Sequence, residues 1–235
     1  MANIAIRMQG VRFRWRPQDP IVLDIPEFQV AKGEKIFIKG PSGSGKTSLL
    51  NLLAGVARPE AGDIDISGHR ITAFSGRQGD TFRADHIGFI FQMFNLLPYL
   101  SMLNNVTLAC LFSDVRRQRA LGRAPSLDAE ASRLLQHLEL DVSGLASRPV
   151  SLLSMGQQQR VAVARSLIGG PDLVIADEPT SALDADARQS FLDLLFREIA
   201  ETGSTLLFVS HDAGLADSFD RSLAIADFNM AETER

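Results

Sequence analysis

Apolar and polar positions change their spacing several times along this chain, and each change marks an element. Ile4 to Met8 alternates loosely, as an exposed strand does. Residues 21–30 read as one or two further short strands, with Pro26 as punctuation. Lys35-Ile-Phe-Ile-Lys39 is a buried strand that runs straight into a glycine-rich loop. Residues 46–56 then place Leu49, Leu50, Leu52 and Leu53 on one helical face. Gly62 to Gly68 predicts a short strand between turns, and Ile87 to Phe91 another buried strand.

From Met93 to about Arg165 the character shifts to helices, expected near 101–110, 128–139 and 156–169. Residues 113–127 are rich in Arg, Ser and Pro and read as a loop. Residues 172–176 form an almost wholly apolar strand suited to the middle of a parallel sheet. Helix 184–201, strand 205–209, a short helix near 212–219 and a strand at 222–226 complete the pattern. Strands alternating with helices predict an α/β core formed by 1–92 and 166–235, with a helical subdomain, 93–165, inserted into it. No internal repeat is visible, and the polar tail is expected to fray.

Composition narrows the classes. The 235 residues are 45% hydrophobic and 22% charged, enough for a sizeable core in one large or two small domains. The net charge of -4 gives no support for a nucleic-acid-binding surface. A single cysteine, Cys110, cannot form an internal disulfide; it fits a reducing cytosol and reads as a small apolar filler. Arg7, Arg12 and Arg14 are followed by no long apolar stretch, so no signal peptide is expected. No apolar run approaches the roughly 18 residues needed to cross a bilayer, so any membrane role requires a partner.

The chemistry concentrates in a few motifs. Gly40-Pro41-Ser42-Gly43-Ser44-Gly45-Lys46-Thr47 fits G-x-x-x-x-G-K-[ST], and it follows a strand and opens a helix, as that motif requires. Backbone N–H groups of the loop would point at phosphate oxygens, Lys46 would reach the β- and γ-phosphates, and the Thr47 hydroxyl would bind Mg2+. Ser48 completes this ATP-binding set. Asp177 ends a buried strand, where a carboxylate needs a cation or donors nearby; the magnesium shell accounts for it. Glu178 follows as a candidate general base for water. His211, at the end of another core strand, can hydrogen-bond the γ-phosphate or hold Glu178 and the water. Farther along, residues 151–167 (SLLSMGQQQRVAVARSL) read as a second helix N-terminus suited to an anion.

Taken together, GPSGSGKT, Gln92, LSMGQQQR, LVIADEP, SALD at 181–184 and VSHD resemble the nucleotide-binding subunit of an ABC transporter. The resemblance covers essentially the whole chain. It implies a P-loop NTPase with a mixed, mainly parallel sheet, an N-terminal antiparallel β region and an inserted α-helical subdomain. It also implies head-to-tail pairing with a second cassette, in a homodimer. The partner's ATP would then lie on Ser154, Met155, Gly156 and Gln157, which explains why the chain carries two phosphate sites. By the same resemblance Gln92 touches magnesium and the attacking water, Asp184 lies across the dimer interface, and Trp15 stacks on adenine. The alternative for Trp15 is an ordinary buried tryptophan.

The usual signature reads Leu-Ser-Gly-Gly-Gln; here Met155 replaces the first glycine. Residues 88–98 (GFIFQMFNLLP) and Leu103-Asn-Asn-Val106 resemble cassettes of lipoprotein-release and macrolide-export systems. The implied protein is an ATPase that drives separate transmembrane permease subunits. It would sit peripherally on the cytoplasmic face of the inner membrane, neither inserting into it nor binding nucleic acid. The second reading is a soluble ABC-type ATPase in an assembly process such as iron–sulfur scaffold machinery.

Overall fold

The computed structural model describes residues 4–144, 146–181, 183 and 185–231. In chain order the elements begin with β1 (Ile4–Phe13), β2 (Leu23–Ala31), β3 (Lys35–Lys39), α1 (Lys46–Leu53), β4 (Ala61–Ile66), β5 (His69–Arg70), α2 (Gly76–His86) and β6 (Ile87–Ile90). They continue with α3 (Met102–Thr107), α4 (Asp114–Leu121), α5 (Leu127–His137), α6 (Met155–Leu167), β7 (Leu173–Asp177), α7 (Ala185–Thr202), β8 (Thr205–Ser210) and β9 (Arg221–Ala224). The chain divides into two compact units, Met1–Arg83 with Thr205–Arg235, and Ala84–Ser204. Strands β6 and β7 group with the helices, so these units cut the chain elsewhere than the expected 93–165 insert.

In the first unit, an antiparallel sheet runs in the order β2-β1-β4-β5. Ile6, Met8, Val11 and Phe13 of β1 are buried, as are Leu23, Ile25, Phe28 and Val30 of β2. Residues 23–31 form one strand through Pro26. Proline is tolerated there because β2 is an edge strand, where a missing N–H breaks no ladder on the open side. In the same unit β3 pairs in parallel with β8 and β9. Ile36, Phe37 and Ile38, with Leu206 to Val209, are fully buried, as strands covered on both faces must be.

In the second unit β6 and β7 pair in parallel, with α6 packed against β6. Residues 114–121, expected as loop, form helix α4. Ser113 caps it by accepting from the Arg116 N–H and donates its own hydroxyl to Asp85. The many arginines of this stretch misled because one of them, Arg116, is buried. It donates to the carbonyls of Ile168 (2.8 Å), Ser166 (2.6 Å) and Arg165 (3.3 Å), and so closes the C-terminus of α6. Helix α2 was not expected either: Gly76 and Gly79 weaken its pattern, and only Phe82 is buried. The helix expected near 212–219 is a 3-10 turn, Ala213–Ser218.

On α5 and α7, Arg133 pairs with Glu130 through Nε and Nη2 at 2.9 Å each and faces His137, which meets Glu198 at 2.8 Å. The guanidinium thus supplies a cation that these acids require. Cys110 is buried, and burial pushes its thiol pKa up, as expected of an inert filler. Among the described residues no helix is long and apolar enough to cross a membrane.

Candidate nucleotide site

The glycine-rich loop leaves β3 at Lys39, and the β3–β8 register sets Lys39 opposite Ser210. The loop and His211 therefore emerge at the same C-terminal edge of neighbouring parallel strands, where ligands bind in open α/β sheets. Gly45 caps α1 at φ 96. A Cβ there would lie 2.9 Å from Leu23 Cδ2 and 3.2 Å from the Val22 carbonyl, so conformation and space both demand glycine. Ser44 Oγ donates to the Pro41 carbonyl at 2.8 Å and tightens the curl. Lys46 Nζ donates to the carbonyls of Gly40 (2.7 Å) and Pro41 (2.8 Å), which holds the ammonium over the loop. The Thr47 side chain is exposed one residue into α1, an oxygen ligand of the kind Mg2+ prefers. This glycine cradle, cation and hydroxyl fit a nucleotide triphosphate with its metal.

Trp15 belongs to the same unit. It is 55% exposed, so it is not a buried core tryptophan. Its Nε1 donates to Ser48 Oγ at 3.2 Å, and its ring stands edge-on to Phe13 at 5.0 Å and 78°. The ring is thus fixed by α1 while keeping free area for a flat partner.

The second unit carries the acids. Ile90 of β6 lies opposite Ala176 of β7, so Gln92 leaves the same strand edge as Asp177 and Glu178. Glu178 has φ 44, a value uncommon for any residue but glycine, and turns the chain immediately after the strand. Gln92 is exposed at the start of a segment that contains two consecutive left-handed residues, Phe94 at φ 59 and Asn95 at φ 49.

The N-terminus of α6 is also complete. Ser154 Oγ accepts from the Gln157 N–H at 3.3 Å, and the Ser154 N–H donates to Gln157 Oε1 at 2.9 Å, forming a capping box. Met155 is 60% exposed, and a Cβ added at Gly156 would meet nothing within 4 Å. That helix end has room for an anion as large as phosphate. Asp184 lies outside the described residues.

Residues 23–181 match the family described as ABC transporter. The chain belongs to the ABC transporter family. It is an ATPase cassette with the P-loop fold of that family. It is 36% identical to the lipoprotein-releasing system ATP-binding protein LolD of Chromohalobacter salexigens over 98% of this chain and 94% of the relative. It is 37% identical to the macrolide export ATP-binding/permease protein MacB of Rhodopirellula baltica over 98% of this chain but 33% of that longer relative. Among solved structures, the dimeric post-hydrolysis state of the cassette MJ0796, bound to ADP and Pi, is similar with a TM-score of 0.77. It shares 32% identity and covers 98% of this chain and 97% of its own.

Residues beyond the expected set brace the segments that carry the candidate residues Glu178 and Gln92. Gln159, buried on α6, donates to the Pro179 carbonyl at 2.8 Å, next to Glu178. Asn105, buried on α3, accepts from the Leu97 N–H at 2.9 Å and donates back to the Leu97 carbonyl at 3.1 Å. Sequence periodicity signals burial at such positions. It does not signal which distant backbone they hold.

Proposed function

We propose that this cassette hydrolyses ATP as a homodimer with Mg2+ and thereby drives separate permease subunits. The observation that carries the proposal is that one chain holds two differently built backbone ends, each suited to phosphate. The loop at 40–47 is curled around its own lysine, whereas the capped end of α6 is open at Gly156. In a two-fold dimer each open helix end would meet the nucleotide held by the other copy. Lys46 would neutralise the β- and γ-phosphates, and Trp15 would stack on the base. Thr47, Gln92 and Asp177 would hold Mg2+, which supplies charge neutralisation at the transferred phosphoryl group. Glu178 would take a proton from the attacking water. His211 would hydrogen-bond the γ-phosphate.

Surface chemistry supports a membrane partner. Met93, at 81% exposed, and Tyr99 are bare, and Leu96 and Leu97 are half-buried. Phe94 is buried and belongs to the packing, so a permease contact in this segment would fall on its neighbours. The cassette would then sit on the cytoplasmic face of the inner membrane through that partner. The transporter names of the relatives favour this reading over an iron–sulfur assembly ATPase.

The test is Glu178→Gln, which preserves shape and removes the base. ATP binding should persist, turnover should be lost, and an ATP-dependent dimer should appear on size-exclusion chromatography. Hydrolysis near the wild-type rate would place the base elsewhere.

A further inference from the structure

Helix α6 reaches two catalytic segments from one rigid element. Near its C-terminus, Arg165 donates from Nη1 to the Asn95 carbonyl at 2.7 Å and from Nη2 to the Phe94 carbonyl at 2.5 Å. Those are the two left-handed residues just beyond Gln92. Asparagine tolerates that backbone region; phenylalanine does not, and a Phe there persists only when its surroundings hold it. The ring of Phe94 is buried and its carbonyl is claimed by Arg165. Asn105 fixes the far side of the same segment through Leu97 and the carbonyls of Leu100 and Ser101. One turn and a half earlier on α6, Gln159 holds Pro179 beside Glu178.

We infer that Arg165 is a positioning residue for ATP hydrolysis, acting through Gln92. Its fork-shaped guanidinium clamps two successive carbonyls, each with its own nitrogen held in one rigid plane. The clamp keeps the segment in a backbone conformation it would not choose alone, and so sets where Gln92 stands. Because Arg165 and Ser154 lie on one helix, a displacement of the signature end moves the clamp with it. A phosphate arriving at Gly156 would thereby reorient Gln92 without touching it. The inference rests on the reading of Gln92 as a group that meets the metal and the water.

The experiment is a double-mutant cycle on the full-length cassette, with kcat and KM for ATP measured at saturating and limiting Mg2+. Arg165→Ala should lower kcat at least tenfold, leave KM for ATP within about twofold, and raise the Mg2+ concentration needed for half-maximal rate. In a Gln92→Ala background the same substitution should change kcat by less than about twofold, since the group it positions is gone. Arg165→Lys, which keeps the charge but not the planar two-nitrogen fork, should recover part of the rate. It also serves if the alanine variant does not fold, which circular dichroism will show. An equal loss in both backgrounds would reduce Arg165 to general stability and overturn the inference. Wild-type kcat in Arg165→Ala would overturn it as well, provided Gln92→Ala is itself impaired. If Gln92→Ala is as active as wild type, the reading of Gln92 fails first, and the inference about Arg165 falls with it.

Discussion

Replacing Arg116 by methionine tests whether the C-terminus of α6 is anchored as described. The side chain is 3% exposed, and three carbonyls converge on it. Burial lowers its pKa to about 10, so it remains charged at neutral pH. Methionine keeps most of the stem packing and removes every donor. The bonds to Ser166 and Ile168 are short, and each unpaired buried carbonyl costs about 1–3 kcal/mol. The bond to Arg165 is long, at 3.3 Å, and adds little. Against this loss stands the desolvation of the guanidinium, several kcal/mol, which the variant no longer bears. The two short bonds at mid-range, less part of that recovery, leave a destabilisation of about 3 kcal/mol. That is a large share of the roughly 5–15 kcal/mol typical of a folded chain. Urea denaturation followed by circular dichroism measures it; with an m value of about 3 kcal/mol/M, the midpoint should fall by about 1 M. Arg116→Lys, with an ammonium able to satisfy one or two carbonyls, should lose about half as much. A methionine variant within about 0.5 kcal/mol of wild type would refute the reasoning, because it would show that the carbonyls find solvent once the arginine is gone.

Other outcomes follow from single residues. Met155→Gly should raise basal phosphate release about fivefold, equivalent to roughly 1 kcal/mol of barrier, with no change in monomer affinity for ATP. An unchanged rate at every protein concentration would show that Met155 points away from the partner's nucleotide. Lys46→Ala should abolish tight binding of a fluorescent ATP analogue, since its ammonium would be the main point charge on the β/γ-phosphates. For Asp172, a hydrogen bond from His86 holds the carboxyl below its ordinary pKa, with Arg119 adding to the effect. A carboxylate with a lowered folded-state pKa contributes stability above its unfolded pKa, near 4, and loses it as pH falls through the folded value. Asp172→Asn should therefore be less stable than wild type at pH 6, and the gap should close as pH falls below the ordinary carboxylate range and through the lowered folded value, measured by denaturant titration.

What could be read from the sequence was whatever depends on neighbours in the chain. The strand before the phosphate loop, the loop itself and the acids after β7 are each contiguous, and their order is enough to place them. Helix α4 was misread because arginine-rich stretches are usually solvated, and the partners of Arg116 lie about fifty residues away. The exposure of Trp15 was undecidable for a similar reason, since Ser48, which fixes its edge, stands 33 residues downstream. The left-handed pair Phe94-Asn95 gave no glycine to announce itself. Its holder, Arg165, is 70 residues farther on.

The same contrast bears on how α6 works. Its first turn holds an exposed methionine and an open glycine, with a cap made entirely of local residues. Its last turns are clasped by Arg116 and reach across to Phe94 and Asn95 through Arg165. Between them Val161, Ala162, Val163 and Ala164 are fully buried, and such packing does not deform gradually. From Met155 to Arg165 the helix rises about 15 Å. A helix packed along its middle tends to move as a body, so a push at Gly156 would be passed on to Arg165. If Arg165 positions Gln92 as proposed, the anchor at Arg116 would bear on function as well as on stability: were the C-terminal end to fray, the displacement would be absorbed before it reached the segment that carries Gln92.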